Sequence, residues 1–300
     1  MKNVSRNAVG FGALVILGLL AACSDLEESL PAPAPNVNVH PEGWISKTSP
    51  DFHGTAIRNL GWDMRSCRTC HGNAYNGGTS GVSCLTCHTG AGGPLNCATC
   101  HGSTSSPAPP RDLSGNTINT SQGVGAHQIH LLGTSRAKAL TCAECHSIPE
   151  DVYAPGHIDI TQGAEVVMAN YLAGLATNVP GSSLYDASLP LFSPNPVYTR
   201  ATLSCSSTYC HGTFKNGNTS NAPVWTNPAS AACGTCHGDA TAATTAQKAL
   251  PKTAAQGGSH PDATACSVCH GGVVNSSLTF IDESKHVDGR LNLGGTDLVY

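Results

Sequence analysis

Seven times in this chain a pair of cysteines is followed directly by histidine, and this unit constrains the fold more than any apolar pattern. Six copies read Cys-x-x-Cys-His: Cys67, Cys70 and His71; Cys84, Cys87 and His88; Cys97, Cys100 and His101; Cys142, Cys145 and His146; Cys233, Cys236 and His237; Cys266, Cys269 and His270. The seventh is stretched by two residues: Cys205, Cys210 and His211. The six-fold spacing is the attachment signature of c-type haem. Its two thiols bond the two vinyl groups of one porphyrin, and the adjacent histidine becomes the proximal iron ligand. Zinc sites and thiol exchange also use cysteine pairs. A disulfide between such near neighbours would close a tiny loop and constrain little of the unfolded chain. Seven repeats that use all but one of the 15 cysteines favour haem, giving an expectation of seven haem c groups.

The chain has 14 histidines, and the motifs use half of them. The others are His40, His53, His127, His130, His157, His260 and His286. One spare histidine per motif makes each a candidate distal ligand. The expectation is that every iron carries two histidines and none is left open. Only Met1, Met64 and Met168 are present, so methionine ligation has little room. His127 and His130 stand three residues apart in Gly-Val-Gly-Ala-His-Gln-Ile-His, and on a helix they would share a face. Two histidines so placed would ligate two different haems and hold them close together.

The N-terminus reads as an export signal over residues 1–22. Lys2 and Arg6 precede a short apolar run, Val9 to Leu20, broken by Gly10, Gly12 and Gly18. Leu20-Ala21-Ala22-Cys23 resembles the lipobox of bacterial lipoproteins, which implies lipidation at Cys23 and an anchor that does not span the bilayer. Ser24 after the cysteine implies, by the same resemblance, an outer-membrane location, on the periplasmic or the cell-surface face. Residues 23–38 then form a Pro/Ala-rich tether, with Pro31-Ala32-Pro33-Ala34-Pro35 extended and stiff.

Aromatic residues make up only 5% of the chain and charged residues 11%. In an ordinary soluble protein that composition argues for disorder. Here covalent porphyrins would supply the missing apolar surface and tie distant loops together, as disulfides do in small secreted domains. The expected fold class is mostly irregular coil with short α-helices and little β-structure, organised around covalently bound haems. Without haem the chain should be largely unfolded. The net charge of −4, with no basic run, excludes nucleic acid as a partner.

Three motifs crowd residues 67–101, and a chain that reaches only about 3.4 Å per residue keeps their haems close. His40 and His53 upstream, and His127 and His130 downstream, are the natural distal candidates for this cluster. Pro155-Gly156-His157 is expected to turn back toward His146. Residues 39–157 thus form an N-terminal four-motif region. Residues 158–203 hold no cysteine or histidine and read as a spacer, with Val166, Val167, Met168, Tyr171 and Leu172 as its apolar patch. Residues 204–291 hold three motifs, and 292–300 are a tail.

The last region runs Cys205-x4-Cys210-His211-Gly212, Pro223-Val224-Trp225 and Cys233-Gly-Thr-Cys236-His237-Gly238. His260-Pro261, the Cys266–His270 motif and His286-Val287-Asp288-Gly289 follow. This order resembles the C-x4-C-H/C-x-x-C-H domains of multihaem cytochromes from metal-reducing bacteria such as Geobacter. The resemblance implies an exported electron carrier at the outer surface, and the one-to-one histidine count argues against an enzyme. Its partners would be other c-type cytochromes or an extracellular acceptor, with the membrane engaged through lipid. Two other readings remain: a multihaem reductase, which needs an open iron, and a subunit of an oligomer or conductive filament, which would suit an unlipidated N-terminus. The lipoprotein reading predicts that the protein incorporates labelled palmitate in a cell that processes lipoproteins, and that Cys23→Ala abolishes the label. Equal labelling of the variant would exclude Cys23 as the anchor.

Overall fold

The computed structural model describes residues 39–300 except 104, 105, 107, 110, 160–162, 169 and 170. The expected signal peptide, the lipidation site Cys23 and the tether lie outside the described residues. The chain divides into two units, one ending at Asn59 and the other running from Leu60 to Tyr300.

The described residues are mostly coil interrupted by short helices and two small hairpins. The helices are α1 (His53–Asn59), α2 (Arg68–His71), α3 (Cys97–Cys100), α4 (His127–Leu132), α5 (Thr245–Ala249) and α6 (Cys266–His270). Three of them are haem motifs, and single 3-10 turns occupy Cys84–Thr86, Cys142–Glu144 and Tyr209–His211. A helical turn suits the motif because residues three apart share a face, which brings both thiols to one side. Local caps start these turns. Asn96 accepts from the Ala98 amide at 2.8 Å ahead of α3, and Ser83 accepts from the Leu85 amide at 3.2 Å. None of these turns is long enough to be stable alone, and among the described residues no helix is long and apolar enough to cross a membrane.

Strands β1 (Val197–Thr199) and β2 (Ser204–Ser206) pair antiparallel, with Tyr198 opposite Cys205. Strands β3 (Arg290–Leu293) and β4 (Thr296–Val299) form the second hairpin. Its two turn residues, Gly294 and Gly295, both have positive φ (57° and 82°), as a two-residue turn between right-twisted strands requires. The segment 292–300 is therefore largely part of this hairpin.

Side chains alone make a thin core. The buried apolar residues include Met64, Tyr75, Val124, Met168, Tyr209 and Val273, and the most completely buried side chains are Tyr75, Thr177 and Asn178. Large apolar residues stand in water, with Ile45 83% and Val268 79% exposed. The patch anticipated in the spacer is not packed as a unit: Met168 is buried, but Val167 and Tyr171 are at least half exposed. Polar ties organise that segment instead. The Asn178 side-chain amide, on a backbone with φ 58°, lies 3.0 Å from each of the Asp186, Leu189 and Pro190 carbonyls and accepts from the Asp186 amide at 2.8 Å. Asparagine tolerates this left-handed conformation better than most residues.

Long-range bonds join the segments. The Val167 amide donates to the Cys145 carbonyl at 2.8 Å. Trp225 Nε1 donates to the Gln122 carbonyl at 2.8 Å, and Tyr75 and Tyr153 share a hydroxyl bond of 2.8 Å. Asn178→Ala strands buried carbonyls and should cost about 2 kcal/mol of unfolding free energy. Guanidinium titration of the holoprotein, followed by circular dichroism, would read this as a lowered midpoint. An unchanged midpoint would show that the Asn178 hub is dispensable.

Candidate haem centres

Five pairs of histidine rings lie close together, each pair joining a motif histidine to a spare one. The ring centroids of His101 and His157 are 6.1 Å apart, those of His127 and His146 6.3 Å, and those of His130 and His211 6.1 Å. His237 and His286 are 6.3 Å apart, and His260 and His270 6.2 Å. An imidazole nitrogen lies about 2 Å from a bound metal ion, so two rings facing one ion in line hold their centroids about 6 Å apart. The observed separations fit one iron between each pair. They are too long for a ring-to-ring hydrogen bond. Among the described residues no three His, Cys, Asp or Glu side chains gather as a metal cluster, and the histidines meet in twos instead.

Backbone carbonyls set the ring orientation. His146 Nδ1 donates to Glu165 O at 2.7 Å, His270 to Asn292 O at 2.7 Å, and His71 to Val82 O at 2.9 Å. Among the spare histidines, His53 donates to Trp44 O (2.9 Å), His127 to Val124 O (2.9 Å) and His130 to Ala126 O (2.9 Å). His157 donates to Val152 O (2.9 Å), His260 to Pro261 O (2.7 Å) and His286 to Arg136 O (2.7 Å). A carbonyl can only accept, so Nδ1 carries the proton and the Nε2 lone pair stays available to a metal. His40 stacks on Trp44 with ring centroids 4.3 Å apart.

Burial keeps several of these rings neutral. It pushes His211 and His237 down to about 4, with the facing His130 and His286 adding to the effect. Burial also lowers His101, His127 and His286. Each ring is then neutral at neutral pH, the form a metal ion needs. The thiols move the other way. Burial, with Cys205 and Glu144 nearby, pushes Cys145 up to about 12, and burial with Glu144 nearby does the same to Cys210. Thiol exchange needs the thiolate, which such burial disfavours. A thioether carries no charge and suits these positions. The fourteen motif cysteines are all unpaired.

Two further features match a porphyrin. A cleft of about 620 Å³ is lined by Tyr75, Leu85, His88, Gly92, Gly93 and Leu95, so the second motif histidine stands in the wall of a partly apolar groove. Val268, between Cys266 and Cys269 in sequence, leaves a large apolar side chain 79% exposed.

The structure differs from the sequence expectation in two placements. His157 does not turn back to His146. Its ring faces His101, held there by the Val152 carbonyl. His127 and His130 do not face the first three motifs, because α4 directs them to His146 and His211. His260 and His286 do face motifs of their own region, and Cys67 and Cys84 lie within electrostatic reach, as crowded motifs should. Trp225 is a site residue that sequence reasoning passed over. Its ring lies 4.7 Å from that of His127 and 5.8 Å from that of His130, and the Pro223-Val224-Trp225 run was its one signal.

The stretched motif accommodates its two extra residues by changing backbone state. Cys205 lies on β2, Ser207 takes a left-handed φ of 54°, and the helical turn begins only at Tyr209. Asn221 Nδ2 donates to the His211 carbonyl at 2.8 Å, and the Asn218 amide donates to the Cys236 carbonyl at 2.8 Å, tying this motif to the next. His260→Ala should convert one haem equivalent to a carbon monoxide-binding form without loss of covalent haem. An unchanged spectrum under carbon monoxide would show that His260 does not ligate.

No curated protein and no solved structure shows a significant match to the chain. Residues 204–237 match the family model of the Geobacter CxxxxCH...CXXCH motif, and that motif, with the CxxCH units around it, indicates a c-type cytochrome with covalently bound haem c.

Proposed function

We propose that this protein is an exported seven-haem c-type cytochrome that passes electrons along closely spaced, doubly histidine-ligated haems at the outer membrane. The electrons would leave toward a partner cytochrome or an extracellular acceptor. The observation that carries this reading is the set of five histidine pairs at 6.1–6.3 Å, each uniting a motif histidine with a spare one. His71 and His88 are proximal candidates, and His40 and His53 distal candidates, for further haems.

Haem iron supplies one-electron chemistry between the ferric and ferrous states. The chain's own residues determine how it is used. Paired cysteines would hold each porphyrin at a fixed place and keep neighbouring centres close. Two histidines would hold each iron, so that the redox change would need little rearrangement and no site would be left for a substrate. Where Nδ1 is bonded to a carbonyl, as in His146 and His270, the imidazole would be more electron-donating, which would favour the ferric form and a lower potential. Partial burial of His211 and His237 favours their neutral, ligating form.

The test is the optical spectrum of the dithionite-reduced holoprotein with haem quantified, before and after carbon monoxide. Seven haems and no carbon monoxide shift are expected. A shift in the wild-type protein would mean an open iron and would move the assignment toward a reductase.

A further inference from the structure

Helix α4 carries two histidines one turn apart whose rings point to different motifs. His127 faces His146 with an interplanar angle of 26°, and His130 faces His211 at 85°. Three residues of helix advance about 4.5 Å, so the two rings leave the backbone almost side by side. Trp225 packs against both. It meets His127 edge-on at 90° and lies nearly parallel to His130 at 18°. Its Nε1 is fixed on the Gln122 carbonyl at 2.8 Å and its backbone amide on the Leu203 carbonyl at 2.6 Å. Gly125 makes room for it: with φ +43°, a β-carbon there would run into the indole.

We infer that α4 and Trp225 form the junction between the two groups of motifs. His127 supplies the distal ligand of the Cys142–His146 haem, His130 supplies that of the stretched Cys205–His211 motif, and Trp225 is the positioning residue that sets the two ring planes. The inference rests on the haem reading above and deepens it, because it gives the stretched motif its own haem and its own ligand from outside residues 204–237.

Ring angle has a spectroscopic consequence. Nearly parallel imidazoles split the two iron d orbitals that meet their π systems, whereas crossed imidazoles leave those orbitals close in energy. The ferric centre of His127 and His146 should therefore give an ordinary rhombic low-spin resonance. That of His130 and His211 should give the highly anisotropic type, as should the crossed His237 and His286 pair at 85°.

Electron paramagnetic resonance of the oxidised holoprotein, with haem counted by the pyridine method, tests this. Wild type should show seven haems and two anisotropic equivalents from the pairs described. His130→Ala should keep seven haems, lose one anisotropic equivalent and gain one carbon monoxide-binding haem. Trp225→Leu should keep the haems and the closed irons but shift the anisotropic signal, while Trp225→Phe, which retains an aromatic face, should restore much of it. Six haems in wild type would overturn the inference while leaving the carrier function standing. So would an anisotropic signal unaffected by His130→Ala. No covalent haem at all would instead overturn the reading beneath it. A Trp225→Leu spectrum identical to wild type would remove Trp225 from the junction.

Discussion

The arrangement proposed for this fold depends on pairs of imidazole rings held about 6 Å apart, across a gap of metal-ion size. A thin side-chain core centred on residues such as Tyr75 and Tyr209 does not explain how so much coil is held in place. In the proposed carrier an iron would join each pair. Each would then be a crosslink between segments far apart in sequence, such as His130 with His211, anchored again through two thioethers. Crosslinks of this kind limit the unfolded chain and replace the apolar area that few aromatic residues supply.

The irregular backbone is part of the same design. Regular helices and sheets consume their own carbonyls, whereas coil leaves them free. Here the carbonyls of Glu165, Arg136, Val152 and Pro261 accept from histidine Nδ1 atoms. One bond satisfies a backbone acceptor, selects the tautomer and aims the ring. In the proposed carrier, the coil that looks like a deficit of structure is what orients the ligands. The last hairpin shows the economy of this arrangement: β3 presents the Asn292 carbonyl to His270 while its turn is closed by Gly294 and Gly295.

Much of the candidate site was legible in the chain itself. The motifs announce their own cofactor because two thiols and a histidine at that spacing have one common use. Short helices at the motifs, little β-structure and the scarcity of a conventional core all followed from composition. The partnering of His157 and of the α4 pair was not legible. Proximity in sequence suggested His146 for His157 and the first three motifs for His127 and His130, but ring direction depends on which carbonyl captures Nδ1. Trp225 escaped notice for a similar reason, since its role arises from Gln122, Leu203 and Gly125, which are remote from it in sequence.

The sequence by itself determined the cofactor class, the motif cysteines and histidines, and the pool from which distal ligands are drawn, because covalent attachment is a local reaction that reads local spacing. Only the tertiary structure decided which rings face each other and at what angle. Those properties come from bonds between distant backbone groups and from packing such as that of Trp225 against α4, and no local pattern encodes them.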